Sequence, residues 1–295
     1  MLIQKARAYQ LIIGDWKNGD GLLIENLQVT FDISKSSNNK DRTNSAAIEI
    51  YNLSDESLRV LDTDYPVAVF SAGYQEIGIK QLFAGEVTLV TTRKSGADRI
   101  TQLRLGSGYQ DLNHQLLNKL VSPGRPVSGV LEEIRKAIPG VSRGVYNGTN
   151  LNNELIYGYP LMGTPKQMLN ELSDKYLLEW QINDDVLYVH DTTRANDEDF
   201  NGAYVVSKYT GLIENAYRVT DDVKKSTKDK TKKQAVQFKM LLNPEIVAGS
   251  IIKLEDTLIQ GWYKVDTLRH YGGVRDNDWY TEVKASAIEK VVNTK

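Results

Sequence analysis

Two alternating stretches near the N-terminus constrain the fold more than any other feature. Leu27–Ile33 alternates apolar and polar residues, and Ala46–Ile50 repeats the pattern. Because successive side chains of a strand point to opposite faces, this period of two predicts two half-buried strands with Phe31 in the core. Lys35–Asn44 contains no apolar residue, so we expect a long solvated loop joining the strands as a β-hairpin.

Residues 1–108 are predicted to form a first β-barrel domain. Ser54 is a suitable N-cap for one short helix, since Asp55 and Glu56 favour the positive end of the helix dipole. Gly85 interrupts a long strand and suggests a bulge or bend. Turns recur every ~8–12 residues, which favours a closed or nearly closed barrel. The strands predicted outside the hairpin are Ala8–Ile13, Val67–Ala72, Lys80–Thr92 and Arg99–Leu105.

Residues 109–203 are predicted to form a small α+β middle domain. Apolar residues at helical spacing over 127–138 indicate one helix, and Thr164 followed by Pro165 and Gln167 is a strong start for a second. Ser142–Glu154 is polar and is expected to be a loop. A hairpin is expected around Asn183–Asp185.

Residues 204–295 are predicted to form a second β-barrel domain of about five strands. The predicted fold class is therefore mainly β, with two β-barrel domains and a small mixed α/β middle domain. The strands expected in this last part are Leu212–Thr220, Ala235–Leu242, Ser250–Leu254, Trp262–Tyr271 and Asp278–Ile288.

The composition narrows the possible functions. The 295 residues are 41% hydrophobic and 25% charged with net charge −2, which favours a packed protein over a disordered chain or a chain-wide polyanion binder. There is no cysteine, so disulfides, thiolate nucleophiles and Cys-type zinc sites are excluded. We expect no signal peptide, since the N-terminus lacks a continuous apolar core, and no membrane span, since no apolar run approaches ~18 residues.

The sequence offers no strong catalytic or metal-binding motif. Nucleophile-elbow, P-loop and dinucleotide-binding patterns are absent, and His114, His190 and His270 are scattered, which favours strand-end or surface roles. Asp197–Gly202 matches the first half of an EF-hand loop, but Lys208 stands where the bidentate glutamate belongs, so an Asx-rich turn is favoured over calcium. Glu179 and Glu49 are expected to be solvated. We predict no catalytic, cofactor-binding or metal-binding residues.

Six lysines lie within Lys224–Lys233, the sharpest local charge feature of the chain. They would suit contact with DNA or with an acidic protein. A solvated hairpin tip is favoured instead, because neither aromatic residues nor arginines that could read bases lie nearby.

Several motifs, in order along the chain, resemble those of baseplate central hub proteins of phage tails, the tail hub or late control protein D-like family. The opening hairpin carries N-L-x-V-x-F-D-I-x-K and then A-x-I-x-I-Y-N-L-S. The other matching segments are Leu82–Val87, Gly163–Pro165, Leu241–Ile246 with Gly249, Gly261–Val265, Arg269–His270 and Asp278–Trp279. The lysine-rich loop departs from the family pattern.

The resemblance implies a structural role without catalysis. It implies a homotrimer in which six similar barrels match a sixfold tail tube on one side and a threefold central spike on the other. Implied partners are the tail tube, central spike and baseplate wedge proteins, with the tape measure protein as a further candidate, and DNA only passes through the lumen. Implied localisation is the virion baseplate, assembled in the host cytoplasm.

Three alternatives stay open. The chain could be a tail-associated cell-wall hydrolase, which needs a buried acid pair or a histidine-based metal site. It could be a β-rich receptor-binding or carbohydrate-binding module. It could also be the hub or spike component of a related contractile injection system.

Overall fold

The structure, a computed structural model, describes residues 6–14, 21–40, 44–61, 66–106, 109–191, 203–220 and 234–288. These residues form eighteen strands and four α-helices, so the predicted mainly β fold class is confirmed. None of the helices in this part of the chain has the length and hydropathy that a membrane crossing requires.

The first β region contains seven antiparallel strands among its described residues, one more than predicted, and the extra strand is β2, Gly21–Ile24. The predicted helix after the hairpin is present as α1, Asp55–Val60, and Ser54 accepts a hydrogen bond from the backbone of Ser57 as its N-cap. The sheet order is β3-β4-β7-β6-β5-β1-β2. The strands are β1 Arg7–Gly14, β2 Gly21–Ile24, β3 Val29–Ser36, β4 Ser45–Tyr51, β5 Val67–Tyr74, β6 Gly78–Ser95 and β7 Asp98–Gly106.

This sheet curls around one core. The rings of Phe31 on β3 and Phe70 on β5 lie 4.8 Å apart between centroids. β3 and β5 are four places apart in the sheet order, which in a flat sheet would separate them by roughly 19 Å at ~4.8 Å per strand. All seven strands contribute buried side chains to the same core, as a barrel requires.

Gly85 lies inside β6 between two register shifts. One is between Gln81 and Phe83 in the pairing with β5, and the other is between Val87 and Leu89 in the pairing with β7. A Cβ on Gly85 would lie 2.6 Å from the Gly106 carbonyl oxygen, so glycine is required here for close approach of two backbones.

The middle segment, residues 109–191, has its own core and two small sheets, β10–β8 and β11–β12–β9. Thr164 forms the predicted capping box with Gln167, and the hairpin at Asn183 is present. The elements are α2 Tyr109–His114, β8 Leu117–Val121, α3 Val127–Lys136, β9 Ser142–Asn147, β10 Tyr159–Gly163, α4 Pro165–Tyr176, β11 Leu178–Asn183 and β12 Val186–Asp191.

The prediction that Ser142–Glu154 is a loop was wrong. Its first half is β9, which pairs in parallel with β12, and Thr149–Asn152 is a 3-10 helix. The pairing depends on Gly144, because a Cβ there would lie 2.9 Å from the carbonyl oxygen of Leu187. The polar composition of this segment did not indicate a strand, because the strand it pairs with lies some forty residues later in the chain.

The second β region contains six strands among the described residues, around a third core. Leu212 forms only an isolated bridge with Met240, so the strand expected over Leu212–Thr220 is confined to β14. The strands are β13 Tyr204–Ser207, β14 Tyr217–Thr220, β15 Gln234–Leu241, β16 Ile251–Glu255, β17 Gln260–Gly273 and β18 Trp279–Ala287.

The two β regions share one thirteen-stranded sheet. Thr267–Gly273 of β17 pairs antiparallel with Thr30–Ser36 of β3, and we call this pairing the seam. The 14-residue β17 is long enough to pair also with β16 and β18. The domain boundaries at 108 and 203 stay predictions.

Candidate functional site

The seam brings together residues of the opening and closing motifs. Arg269 donates from Nε and Nη2 to the two carboxylate oxygens of Asp32, at 2.9 and 2.6 Å. This bidentate bond raises the pKa of Arg269 and fixes the strand register. Beneath it, the Phe31 ring packs edge-on against Trp279 with centroids 5.2 Å apart.

Arg7 ties β1 to the turn that joins β17 and β18. Its guanidinium donates to the carbonyl oxygens of Gly273 at 2.6 Å and Asn277 at 2.9 Å. The same group lies 5.4 Å from the centre of the Trp279 ring. β1 therefore fastens the first β region to the far end of the seam.

His270 is a buried structural residue, and the prediction of a surface or strand-end role was wrong. The hydroxyl oxygen of Thr281 accepts a hydrogen bond from the Asn243 backbone at 3.0 Å and lies 2.8 Å from His270 Nδ1. The Thr281 hydroxyl and His270 Nδ1 therefore share one hydrogen bond, and the tautomer of the imidazole decides which of the two donates. Burial lowers the pKa of His270 to about 3.

The solvated loop expected over Lys35–Asn44 is instead largely buried against the middle segment at its described residues, 35–40 and 44. Asn39 donates its backbone N–H to the Trp180 carbonyl at 2.7 Å and accepts from the Ile182 N–H at 2.7 Å. Asn44 donates to the Ile182 carbonyl at 2.7 Å. The side chains of Asn39 and Asn44 thus satisfy backbone groups of β11, in place of a neighbouring strand.

Ion pairs surround these amides. The ammonium of the buried Lys264 lies 3.0 Å from Glu179 Oε2 and 3.5 Å from Nδ1 of His190. Lys35 lies 3.3 Å from Asp184, and burial lowers its pKa. Glu179 is therefore paired, contrary to the expectation that it is solvated.

His190 is the next-to-last residue of β12, near the strand end as expected, but it is buried. Burial, and then the nearby Lys264 charge, lower the pKa of His190 to about 4. We use "polar junction" for the set Lys35, Asn39, Asn44, Glu179, Asp184, His190 and Lys264.

None of these groups forms a metal-binding cluster. Among the described residues, no three His, Asp or Glu side chains converge on a common point. His114 is exposed at the end of α2, and Glu49 accepts from Arg93 at 3.1 Å. Asp197–Gly202 and the Lys224–Lys233 loop lie outside the described residues.

The middle segment exposes an apolar surface that the sequence interpretation missed. Met162 and Pro160 on β10 point outward beside Leu120 of β8, while Tyr159 and Leu161 point into the core. A short strand that is apolar on both faces was the available signal. The "middle-segment patch" consists of Leu116, Leu120, Ile156, Tyr157 and Met162, each at least 68% exposed.

Several strand edges are also uncovered among the described strands. Leu89–Ser95 of β6 pairs with β7 alone, and Leu89 and Val90 are exposed. At one end of the sheet path, β14 pairs with β15 alone, and its Tyr217 is exposed. At the other end, β2 pairs with β1 alone, and off the path β13 pairs with β16 alone. Uncovered edges of this kind can pair with another chain.

Comparisons with known proteins show which solved structures share this fold. No family model matches the chain, and no curated protein matches it. The structure is similar to a tail protein from Neisseria meningitidis MC58, with a TM-score of 0.64, 13% identity, and coverage of 96% of this chain and 97% of that chain.

Two further solved structures are similar. A 43 kDa tail protein of prophage MuSo2 from Shewanella oneidensis gives a TM-score of 0.63 at 8% identity, covering 95% of this chain and 99% of that chain. The E. coli c3393 protein is a type VI secretion system component described as structurally similar to the T4 tail proteins gp27 and gp5. It gives a TM-score of 0.63 at 11% identity, covering 89% of this chain and 74% of that chain. The chain therefore has the fold shared by these phage-tail and type VI secretion proteins.

Proposed function

We propose that the chain is the structural baseplate hub of a phage tail, a homotrimer that adapts a sixfold tail tube to a threefold central spike. The observation that carries the proposal is the internal repetition of the large sheet. On one side of the seam the strands run β3-β4-β7-β6, and on the other they run β17-β18-β15-β14. Each array consists of two antiparallel hairpins with corresponding places in the order.

One chain thus supplies two similar four-stranded arrays, and three chains supply six. A ring of six such units closes when successive units are related by about sixty degrees of rotation. The sixfold side of the ring would meet the tail tube protein. The middle segments, one per chain, retain threefold symmetry and would meet the spike.

We also infer from the seam how neighbouring chains would join. Within one chain, the arrays meet through an antiparallel strand pair between β3 and β17. The outer strands of the two arrays are β6 and β14, and each has a stretch of edge that pairs with no other described strand. We place the contact between neighbouring chains at these edges, through backbone hydrogen bonds of the same kind.

The remaining parts of the proposal follow from the resemblance of the sequence to hub proteins. Wedge proteins, and as a further candidate the tape measure protein, would bind the assembled trimer. DNA would pass through the lumen, and the protein would reside in the virion baseplate after assembly in the host cytoplasm. It would perform no catalytic step.

The similarity to the E. coli type VI secretion component supports one second candidate, the hub of a related contractile injection system. The trimer and its edge contacts would be the same. The two candidates differ in whether the purified trimer binds the tube and spike proteins of a phage or those of a secretion system.

The experiment is a mass measurement by light scattering at micromolar concentration. The chain should run as three copies, and the double substitution Leu89→Lys with Val90→Lys should give single chains, since lysines on an edge strand oppose pairing. Leu258→Lys, at an exposed leucine outside both edges, is the matched control and should remain trimeric. A wild-type protein that stays single-chain would overturn the proposal.

A further inference from the structure

We propose that the middle-segment patch is a contact between copies of this chain, in which the apolar knob of one copy enters an adjoining groove of the next. The inference deepens the proposed hub function and rests on it. The knob is formed by Leu116, Leu120 and Met162, and the groove is bordered by Ile156 and Tyr157.

The two-stranded sheet of β8 and β10 holds the side chains of the knob in place. Leu120 lies opposite Pro160, and Met162 lies opposite Asn118, on the outer face of the two-stranded sheet. The inner face is fixed in the core by Val121 and Leu161, which are 5% and 0% exposed. The outward side chains are therefore held in place by packing from below.

The groove adjoins the knob directly. It has a volume of about 520 Å³ and runs along residues 153–159 to Lys175 and Tyr176 at the end of α4. The Lys175 ammonium lies over the rings of Tyr159 and Tyr176, at 5.1 and 5.5 Å from their centres. The ammonium therefore faces aromatic rings, and the rim of the groove is mainly apolar and aromatic.

The exposed apolar area of the middle-segment patch approaches the area of a protein–protein interface. Five large side chains at 68–82% exposure present several hundred Å², which approaches the ~800 Å² that each partner contributes to a standard interface. Monomeric proteins rarely expose an apolar surface of this size.

The charge pattern favours a second copy of this chain. The patch carries no charged side chain, and the nearby Lys119 is paired with Glu133 of α3, which offsets its positive charge for an anionic lipid surface. The groove carries one acid, Glu154, and one base, Lys175. Two copies can therefore meet here without repulsion.

The shape fits a heterologous contact. A ring closes through an interface whose two sides are different surfaces of the same protein. In a threefold ring the two contact surfaces of each copy meet near the axis, so a knob and a groove that lie side by side can serve as this pair. The middle segments would then form a second ring of contacts, separate from the strand edges of β6 and β14.

Cross-linking tests the pairing directly, because the chain has no cysteine of its own. Met162→Cys in one copy and Tyr157→Cys in a copy tagged to a different mass are co-expressed and treated with a short bismaleimide. We expect a cross-link between the two masses, and none when either variant is present alone. Leu258→Cys paired with Glu76→Cys, both exposed and outside the patch and the strand edges of β6 and β14, is the matched control and should not cross-link.

The double substitution Leu120→Glu with Met162→Glu gives an independent measurement. Both positions are exposed, so the fold is retained, and we expect the dissociation constant of the assembly to rise at least a hundredfold. If the wild type is trimeric while this variant is equally trimeric and no cross-link forms, the patch is not a contact between copies and the hub proposal stands. If the wild type is single-chain, both proposals fail.

Discussion

Phe31 shows at the residue scale how an alternating pattern becomes a core. Its ring contacts Phe70 and Trp279, and the residue is buried as predicted. We expect Phe31→Ala to lower the free energy of unfolding by about 3–5 kcal/mol, since the substitution removes a buried ring and leaves a cavity. Urea denaturation measures the change. Leu258→Ala, at a leucine that is 73% exposed, is the control and should change stability far less; equal effects would contradict the burial of Phe31.

The two buried histidines predict a pH dependence. Their folded-state pKa values, about 4 for His190 and about 3 for His270, lie below the ordinary 6.5. Between pH 6 and pH 5 the unfolded chain therefore binds protons that the folded chain does not. The free energy of unfolding should fall with falling pH, approaching 1.4 kcal/mol per pH unit for each histidine at the lower end.

Single substitutions measure how much each of the two histidines contributes to the pH dependence. His190→Gln and His270→Gln should each remove part of the slope, and the double variant should remove nearly all of it. Denaturation midpoints at pH 7, 6 and 5 measure the effect. A double variant that keeps the wild-type slope would mean that other groups cause it.

At the scale of elements, the β3–β4 connection binds the middle segment. Asn39→Ala leaves the buried N–H of Ile182 without its acceptor, so we expect a loss of about 1–3 kcal/mol. Amide exchange at Ile182 should accelerate relative to the rest of β11. Asn38→Ala is the neighbouring control, because the Asn38 side chain accepts from the Lys40 backbone within its own loop. Unchanged exchange at Ile182 would show that the contact is not maintained in solution.

The elements also show what the sequence could predict. Hairpin β3–β4, helix α4 and its cap depend on neighbouring residues, so periodicity and capping rules were sufficient to locate them. The burial of Lys35 and Asn39 was not predictable, because the groups that satisfy them lie on β11 and its turn. A polar stretch that binds a distant backbone has the same composition as one that binds water.

At the scale of the whole molecule, the unpredicted feature is the seam. β3 and β17 are more than two hundred residues apart, and nothing in either strand indicates its partner. The surface missed on β8 and β10 has the same origin: apolar residues outside a core look like core residues in a sequence. The motifs that resemble hub proteins marked both sides of the seam, since they contain Asp32 and Arg269, but they did not show that these residues meet.

The seam predicts that the two β regions unfold together. Trp279 belongs to β18 of the second region, yet its side chain packs in the core of the first. Trp279→Ala should cost about 3–5 kcal/mol and lower the protection of amides in β5 as well as in β18, as native-state hydrogen exchange measures. Leu131→Ala, in the separate core of the middle segment, is the control and should mainly affect α3 and α4. If Trp279→Ala left the amides of β5 unchanged, the β regions would open independently, and a rigid pair of arrays, on which the six-unit ring depends, would be ruled out.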